Sequence, residues 1–336
     1  MIRVLACAGD AGGAEAVAPV VARLWATPDV VVETWTYGPA EAVFERASLA
    51  AGRPRDPRAA VATADVVLLG TSVGGPEHEK ELAAAAHDAG VPSLAVLDYW
   101  SSYDRRFGAL APDVVAVVDE RMGTELVASG FHPERVVVTG APQHERLLLL
   151  EPLDEGRREQ LRARGGAGPD DRLVLFASQP VREVYGGGLG YDEQVVLAAL
   201  GTALAHAPVH TRLVVRPHPR EADPVRLPSG AVTVRDDDAH DWVRAADLVC
   251  GMTTALLLEA AMLGCVTLSL QPGLVGADTL RVGTPVTDPE EVEPTVHRAL
   301  LDDDYRAAVR RGAPRAVPGA GARVAGLVLE LARRAA

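Results

Sequence analysis

Two residues with phosphate-binding and acid–base chemistry follow an apolar run in the second half of the chain. Residues 213–215 are Leu-Val-Val, and an Arg-Pro-His-Pro sequence runs from Arg216 to Pro219. The proline rings restrict the backbone, so the guanidinium and the imidazole project in fixed directions. A guanidinium fork suits phosphate oxygens, and an imidazole can bind phosphate or act as an acid. We therefore predict phosphate binding by Arg216 and His218, with His218 also catalytic; the alternative is a surface histidine in a rigid turn.

A second polar cluster follows a later apolar run and opens an apolar helix. Gly251 and Thr253 come before a helix predicted over 254–263, which begins with Thr254 and whose one charged residue is Glu259. Threonine hydroxyls can cap the helix, and the amides of its first turn suit a diphosphate. A carboxylate among leucines and alanines needs partners if it is buried. We predict that Glu259 binds the paired hydroxyls of a ribose; the alternative is that it points into solvent.

Ser178 and Gln179 follow the first apolar run of this half, in the same position relative to a predicted strand. They complete the predicted nucleotide- and phosphate-binding set. The full set is Ser178, Gln179, Arg216, His218, Gly251, Thr253, Thr254 and Glu259. No acidic pair has the spacing of a divalent-metal clamp, so we predict no metal ion. The acidic run 236–238 is interpreted as a solvated turn.

The first half of the chain has a glycine-rich turn of its own, which holds Asp10, Gly12 and Gly13. Glycines there let backbone amides approach a ligand at the start of a helix. The spacing differs from a dinucleotide fingerprint, and the Asp10 carboxylate would repel a pyrophosphate. We interpret the turn as a loop that faces an acceptor, with Asp10 as a candidate base. The alternative is a tight turn that only packs a strand against a helix.

Two later turns carry small, acidic and aromatic residues. Residues 70–75 include Ser72, and the apolar run 93–98 ends in Asp98, with Trp100 close behind. A carboxylate at a strand end, flanked by aromatic rings that suit a sugar face, is a candidate general base; the alternative is that Asp98 only caps the next segment. We predict Asp98, Asp10 and His218 as catalytic residues. The predicted acceptor-side residues are Gly12, Gly13, Ser72 and Trp100.

These residues need strands whose carboxyl ends lie on one side of a sheet. The apolar runs are nearly continuous rather than alternating, which is typical of parallel strands covered on both faces. In the first half they predict strands at 2–8, 30–36, 65–70, 93–98, 113–118 and 135–139, with helices at 14–26, 39–51, 77–89 and 120–129. In the second half they predict strands at 173–177, 211–216, 231–234, 247–250 and 266–270, with helices at 192–206, 254–263, 292–312 and 320–334.

The chain has 336 residues, more than the roughly 250–300 at which single cores usually divide. The predicted fold class is α/β, with two Rossmann-like, doubly wound parallel sheets that face a central cleft. We predict an N-terminal acceptor-side domain over 1–150, a linker over 151–171 and a C-terminal nucleotide-binding domain over 172–318. A C-terminal helix over 319–336 follows, with packing on the first domain as one option.

Composition restricts the partners. A net charge of −13 argues against nucleic acid, which needs a concentrated basic face.

Cys7, Cys250 and Cys265 have no metal-like spacing and are interpreted as free thiols in a reducing compartment. The chain opens as a strand without the pattern of a secretory signal, and no run reaches the ~20 apolar residues of a membrane span. We therefore expect a cytoplasmic protein, with a homodimer as one option.

Three segments carry a resemblance to a known family: residues 139–142, 216–219 and 251–260. The chain resembles the GT-B superfamily, which comprises glycosyltransferases and the non-hydrolysing UDP-N-acetylglucosamine 2-epimerases. It is also similar to capsule and teichoic-acid-type transferases, which often carry a Pro-His-Pro element. The resemblance implies that Arg216, His218, Thr253, Thr254 and Glu259 hold the diphosphate and ribose of a nucleotide such as UDP. It further implies that Asp10 or Asp98 faces the acceptor.

The chain departs from the epimerases at two places. Where they usually have a Ser-Gly-Gly turn and paired glutamates, this chain has Thr253, Thr254 and a single glutamate. Their His-x-Glu-x-Gly element is replaced here by Asp98-Tyr99-Trp100. Both differences favour a transferase.

The predicted function is a metal-independent glycosyltransferase without a cofactor. It would move a sugar or sugar-like group from a nucleoside diphosphate to a hydroxyl or amine acceptor, in polysaccharide or natural-product biosynthesis. One alternative is a nucleotide-sugar 2-epimerase or hydrolase on the same fold. Another is a non-catalytic, nucleotide-sugar-binding partner subunit of a transferase.

Overall fold

The structure is a computed structural model that describes residues 1–53, 55–73, 75–100, 102–107, 112–218, 221, 225–275 and 285–335. Its contacts divide the chain into two compact units. Unit 1 comprises Met1–Leu149 and Ala316–Ala336, and unit 2 comprises Leu150–Arg315. Residues 151–171 therefore lie in unit 2, and the last helix lies in unit 1. The domain roles assigned from the sequence stay a prediction.

Unit 1 is built on a six-stranded, fully parallel sheet in the order β2-β1-β3-β4-β5-β6. Its strands are β1 (Ile2–Ala8), β2 (Val30–Thr36), β3 (Val66–Leu69), β4 (Ser93–Val96), β5 (Val114–Val117) and β6 (Arg135–Val138). Every residue of β3, β4 and β5 is buried. This double-sided burial is why these strands are continuous apolar runs rather than alternating ones.

The helices of the first part of unit 1 follow the strands in alternation. They are α1 (Ala11–Trp25), α2 (Ala40–Arg46), α3 (Pro57–Val61), α4 (His78–Ala89), α5 (Tyr103–Phe107), α6 (Glu120–Ala128) and the 3₁₀-helix Pro142–Leu149. The helix predicted over 39–51 is shorter, because the chain leaves it at Ser48 with a φ of 55°. Gly90 ends α4 in the left-handed conformation, which glycine adopts without steric cost.

Unit 2 has a five-stranded parallel sheet in the order β11-β10-β7-β8-β9. Its strands are β7 (Arg172–Ala177), β8 (Thr211–Arg216), β9 (Val232–Thr233), β10 (Leu248–Gly251) and β11 (Thr267–Ser269). Its helices are α7 (Glu155–Arg164), α8 (Val181–Tyr185), α9 (Glu193–Ala205), α10 (Ala239–Ala245), α11 (Ala255–Met262), the 3₁₀-helix Pro289–Glu291, α12 (Val292–Leu301) and α13 (Asp303–Arg311). The single helix predicted over 292–312 is two helices, because Asp302 breaks the helix and caps α13 through the Tyr305 amide.

The last helix, α14 (Ala320–Ala335), packs into the core of unit 1 through Val324 and Val328. Each unit has its own hydrophobic core, with buried residues from its sheet and its helices. The predicted fold class, two Rossmann-like parallel α/β domains, is confirmed. The three cysteines are free. Among the described residues, no helix is both long and apolar enough to cross a bilayer.

Strand order locates the ligand-binding end of each sheet. In open α/β sheets, ligands bind outside the carboxyl ends of the strands, where the strand order reverses direction. In unit 1 this reversal lies between β1 and β3, and in unit 2 it lies between β7 and β10. The loops at these two points contain Asp10 and Ser72 in unit 1, and Gln179 and Thr253 in unit 2.

Candidate functional site

The switch point of unit 2, where the strand order reverses between β7 and β10, is closed by a reciprocal pair of hydrogen bonds. Gln179 Nε2 donates to Thr253 Oγ1 over 2.9 Å, and the Thr253 amide donates to Gln179 Oε1, also over 2.9 Å. Thr254 is the N-cap of α11 and accepts a bond from the Leu256 amide. The first turn of α11 has no acidic residue. The positive end of its dipole is therefore not neutralised within the first turn, which suits an anion.

Gly251 ends β10 in register with Ala177 of β7, which is in register with Arg216 of β8. The ends of these three strands therefore lie side by side. A Cβ atom at position 251 would come within 3.1 Å of the Ala177 carbonyl oxygen and 3.2 Å of the Thr254 methyl carbon. Glycine at this position thus allows close packing between the sheet and the start of α11.

Arg216 binds a neighbouring turn. Its Nη1 and Nη2 atoms donate to the carbonyl oxygens of Asp236 and Asp237 over 3.3 and 3.1 Å. Burial lowers the pKa of Arg216, and the nearby acidic turn opposes this shift. A phosphate on this guanidinium would share it with two carbonyl groups. The acidic run 236–238 does more than face solvent, because Asp237 forms ion pairs with Arg157 and Arg164.

Glu221, which the sequence interpretation did not select, connects two of the predicted residues. This buried carboxylate accepts a hydrogen bond from Ser178 Oγ through Oε1 and from the His218 amide through Oε2, each over 2.9 Å. The turn that begins at Arg216 is thereby fixed to the end of β7. Pro219, the last residue of the predicted motif, lies outside the described residues.

Glu259 is buried, and its Oε2 atom lies 2.7 Å from Nε2 of His240. The other ring nitrogen of His240 lies 3.2 Å from Oδ1 of Asp238. The alternative in which Glu259 points into solvent is wrong. A buried carboxylate needs such a partner, and His240 supplies it from α10. The binding of ribose by Glu259 stays a prediction.

In unit 1, Asp10 organises the switch point. It is the N-cap of α1, where Oδ1 accepts from the Gly13 amide over 2.7 Å, and its own amide donates to Ser72 Oγ over 2.8 Å. Oδ2 accepts from the Val73 amide over 3.4 Å. Burial, with the charge of Asp98 second, raises the pKa of Asp10 although these amides oppose the shift. A carboxylate with a raised pKa is a better proton acceptor than a free one.

Asp98 is held by a buried arginine. Arg106 Nη1 donates to Asp98 Oδ1 over 2.7 Å and to the Thr71 carbonyl over 2.6 Å. The second carboxylate oxygen, Oδ2, lies over Gly12, where a Cβ atom would stand only 2.2 Å from it. Asp98 and Asp10 therefore flank the same turn of backbone. This brings together four of the predicted residues of unit 1: Asp10, Gly12, Gly13 and Asp98.

Trp100 is largely buried, with 9% of its surface exposed, and its Nε1 donates to Asp119 Oδ1 over 3.0 Å. Asp119 also caps α6 through the Met122 amide. The structure thus gives the indole a packing role, while its predicted contact with an acceptor stays a prediction. Within the described ranges, no group of three or more His, Cys, Asp or Glu side chains is arranged to hold a metal ion.

Comparison with solved structures identifies the architecture. The chain aligns with the UDP-bound structure of S. aureus MnaA at a TM-score of 0.72 and 16% identity, covering 98% of each chain. It aligns with a UDP-GlcNAc 2-epimerase from Neisseria meningitidis bound to UDP-GlcNAc at a TM-score of 0.68 and 13% identity, covering 98% of this chain and 100% of that one. The chain has the GT-B fold. The glycosyltransferase VinC in complex with dTDP shares it at a TM-score of 0.55 and 14% identity, covering 99% of this chain and 100% of VinC.

No protein-family model and no curated protein matches the sequence. The GT-B resemblance read from the motifs is nevertheless confirmed at the level of fold. Four residues that shape the candidate sites were not selected from the sequence: Glu79, Arg106, Glu221 and His240. Arg106 could have been found, because it is a cation eight residues after a candidate base. The other three each have one partner on a distant segment, which the sequence does not reveal: Tyr37 for Glu79, Ser178 for Glu221 and Glu259 for His240.

Proposed function

We propose that this GT-B protein is a glycosyltransferase that uses a nucleoside-diphosphate sugar as its donor, without a metal ion in the transfer step. The observation that carries the proposal is the Gln179–Thr253 pair at the switch point of unit 2. It fixes the loop at the start of α11, whose first turn has no acid to repel a diphosphate. Three neighbours of the same fold were solved with UDP, UDP-GlcNAc or dTDP, which supports this ligand class.

Unit 1 supplies the acceptor chemistry in this proposal. Asp98 is anchored through Oδ1 to Arg106, and Asp10 is anchored through its amide to Ser72. One of these carboxylates takes the proton of the acceptor hydroxyl or amine, and the acceptor atom bonds to the anomeric carbon. The bond from that carbon to the diphosphate oxygen breaks, and the nucleoside diphosphate leaves with the electron pair. Amides at α11 and the residues around His218 stabilise the departing charge.

A second candidate is a nucleotide-sugar 2-epimerase on the same fold. The Neisseria meningitidis neighbour is a UDP-GlcNAc 2-epimerase. Unit 1 also presents two carboxylates beside one turn of backbone, which could move protons to and from a sugar ring. The absence of paired glutamates after Thr254 favours transfer instead.

One experiment separates these functions. The protein is incubated with UDP-, GDP-, dTDP- and CMP-sugars, each with and without a mixture of sugar and amino-sugar acceptors. Nucleotide release that requires an acceptor supports transfer. Release without acceptor indicates a hydrolase, and deuterium uptake at C2 of the sugar without release indicates an epimerase. Saturable binding with no turnover indicates a partner subunit; the last three results each contradict the transferase.

A further inference from the structure

Glu79 is a buried carboxylate next to the acceptor-side turn, and its two oxygens have different surroundings. It lies on α4 with 5% of its surface exposed. Oε2 accepts hydrogen bonds from the Ser72 amide over 2.8 Å and from the Tyr37 hydroxyl over 3.2 Å. Oε1 is buried and has no hydrogen-bond partner among the described residues. An unpaired buried oxygen costs much less in a neutral carboxylic acid than in a carboxylate, so this asymmetry favours the neutral form, with Oε2 as the carbonyl oxygen and the proton on Oε1.

Both partners of Glu79 contact the turn that holds Asp10. The Tyr37 ring lies on Gly9, where a Cβ atom would be 2.1 Å from the ring. Ser72 Oγ accepts the hydrogen bond from the Asp10 amide. Gly9 and the Asp10 amide are therefore held by Tyr37 and Ser72, the two residues that hydrogen-bond to Oε2 of Glu79.

The charged groups around Glu79 do not favour its anion. Burial has the largest effect on Glu79 and raises its pKa, and the charge of Asp10 on the neighbouring turn raises it further. Hydrogen bonds from Ser72 and Tyr37 lower it, and the resulting pKa of Glu79 is about 7. Burial, with the charges of Glu79 and Glu81 in addition, raises the pKa of the neighbouring Cys7 thiol of β1, so this thiol is neutral and supplies no positive charge.

The cations and the histidine nearby are engaged with other groups. Lys80 Nζ donates to Glu77, and Arg106 Nη1 donates to Thr71 and Asp98. His78 contacts the Tyr37 ring edge-on and lies 3.0 Å from Glu81. None of these contacts brings a positive charge to Oε1 of Glu79.

We propose that Glu79 is a positioning residue for the acceptor-side turn: as a neutral acid it holds Tyr37 and Ser72 against the backbone around Asp10, and its ionisation puts charge on the buried Oε1, so the turn opens to solvate that oxygen. A charge on Oε1 would need water or a donor, which it can reach only if the turn moves. The functional consequence rests on the proposed role of Asp10 in acceptor chemistry. The protonation itself does not depend on that role.

The test compares the wild-type 336-residue chain with Glu79→Gln and with the control Glu81→Gln. The glutamine side chain is a neutral isostere of the protonated acid, and Glu81 is an exposed carboxylate on the same helix. The pKa of Glu79 is higher in the folded protein than in the unfolded chain, so the folded state holds more protons between about pH 4.5 and 7. The free energy of unfolding of the wild type should therefore fall relative to that of Glu79→Gln as the pH rises across this range. Above about pH 7.5 the difference between the two proteins should stay constant.

Three readouts follow from this design. The melting temperature of Glu79→Gln should rise by several degrees relative to wild type between pH 5 and 7.5, while Glu81→Gln follows the wild type. Above pH 7, hydrogen exchange of the peptides that contain Asp10 and Ser72 should be faster in the wild type than in Glu79→Gln. The acceptor kcat/KM of the wild type should fall above pH 7, with a flatter profile in the variant.

The outcomes also separate this proposal from the proposed function. Melting temperatures of wild type and Glu79→Gln that run parallel from pH 4.5 to 7.5, or equal exchange at pH 8, would overturn the role of Glu79 even if sugar transfer is observed. A pH-dependent difference in melting and exchange without turnover on any nucleotide sugar would support the positioning role and remove the transferase. Loss of stability in Glu79→Gln at every pH would also contradict the proposal, because a neutral acid should be replaceable by its amide.

Discussion

Glu259 and His240 form a buried pair, with 2.7 Å between Oε2 and Nε2, that joins helices α11 and α10. The turn before α10 is the same turn whose carbonyls receive the guanidinium of Arg216. Two residues predicted to bind the nucleotide, Arg216 and Glu259, therefore contact one segment, 236–240, which comprises the acidic run and the start of α10. Changes in this segment should affect both of them together.

Replacing Glu259 with alanine should lower the free energy of unfolding by about 3 kcal/mol, because it leaves Nε2 of the buried His240 ring without its partner. Urea denaturation measures this change. The control is Glu293→Ala, since Glu293 lies 3.0 Å from His206 but both side chains are exposed. That variant should lose less than about 1 kcal/mol. Equal losses in the two variants would contradict the role given to the buried pair.

Gly12→Ala should disable the acceptor side while leaving the donor side intact. The added methyl group would collide with Asp98 Oδ2, which lies 2.2 Å from the Cβ position. We expect turnover to fall at least tenfold with nucleotide affinity unchanged, as measured by steady-state kinetics and calorimetry. The control is Gly326→Ala in α14, where a Cβ atom meets nothing within 4 Å; it should keep full activity and gain about 0.5–1 kcal/mol of stability. Full activity in Gly12→Ala would place Asp98 outside the reaction.

Asp98→Asn should reduce turnover by about 10²–10⁴, the usual contribution of a general base. The amide oxygen can still accept from Arg106, so the variant should fold. The control is Asp113→Asn, because Asp113 holds the Ser93 amide and hydroxyl at the start of β4, away from the carboxyl ends of the strands. It should affect stability only. If Asp98→Asn keeps wild-type kcat while Asp10→Asn loses it, Asp10 is the base.

Much of the fold follows from the sequence, because strands buried on both faces must be continuous apolar runs. The same reasoning places Asp10 and Ser72 at the carboxyl edge of the first sheet, and Gln179 and Thr253 at the carboxyl edge of the second. The prediction of a single helix over 292–312 was wrong, because Asp302 both ends α12 and caps α13.

The direction of individual side chains could not be predicted. Arg216 reaches carbonyl groups twenty residues away, and the partner of Glu259 is nineteen residues away on another helix. Glu79 stands in the first turn of α4, where an acidic residue is normally a solvated group that favours the helix dipole. Only the packing of α4 against β1 and β3 shows that this carboxylate is buried.

The most direct test of the donor site is titration of the protein with UDP, GDP, dTDP and CDP by calorimetry, using wild type, Thr253→Val and Thr202→Val. Thr253→Val removes the hydroxyl that accepts from Gln179, and Thr202→Val removes an exposed hydroxyl that bonds within α9. We predict saturable binding of at least one nucleotide, weakened about tenfold by Thr253→Val, since a lost hydrogen bond costs about 1–1.5 kcal/mol, and unchanged by Thr202→Val. No binding of any of the four nucleotides, or equal affinity in wild type and Thr253→Val, would contradict a nucleotide site at the start of α11.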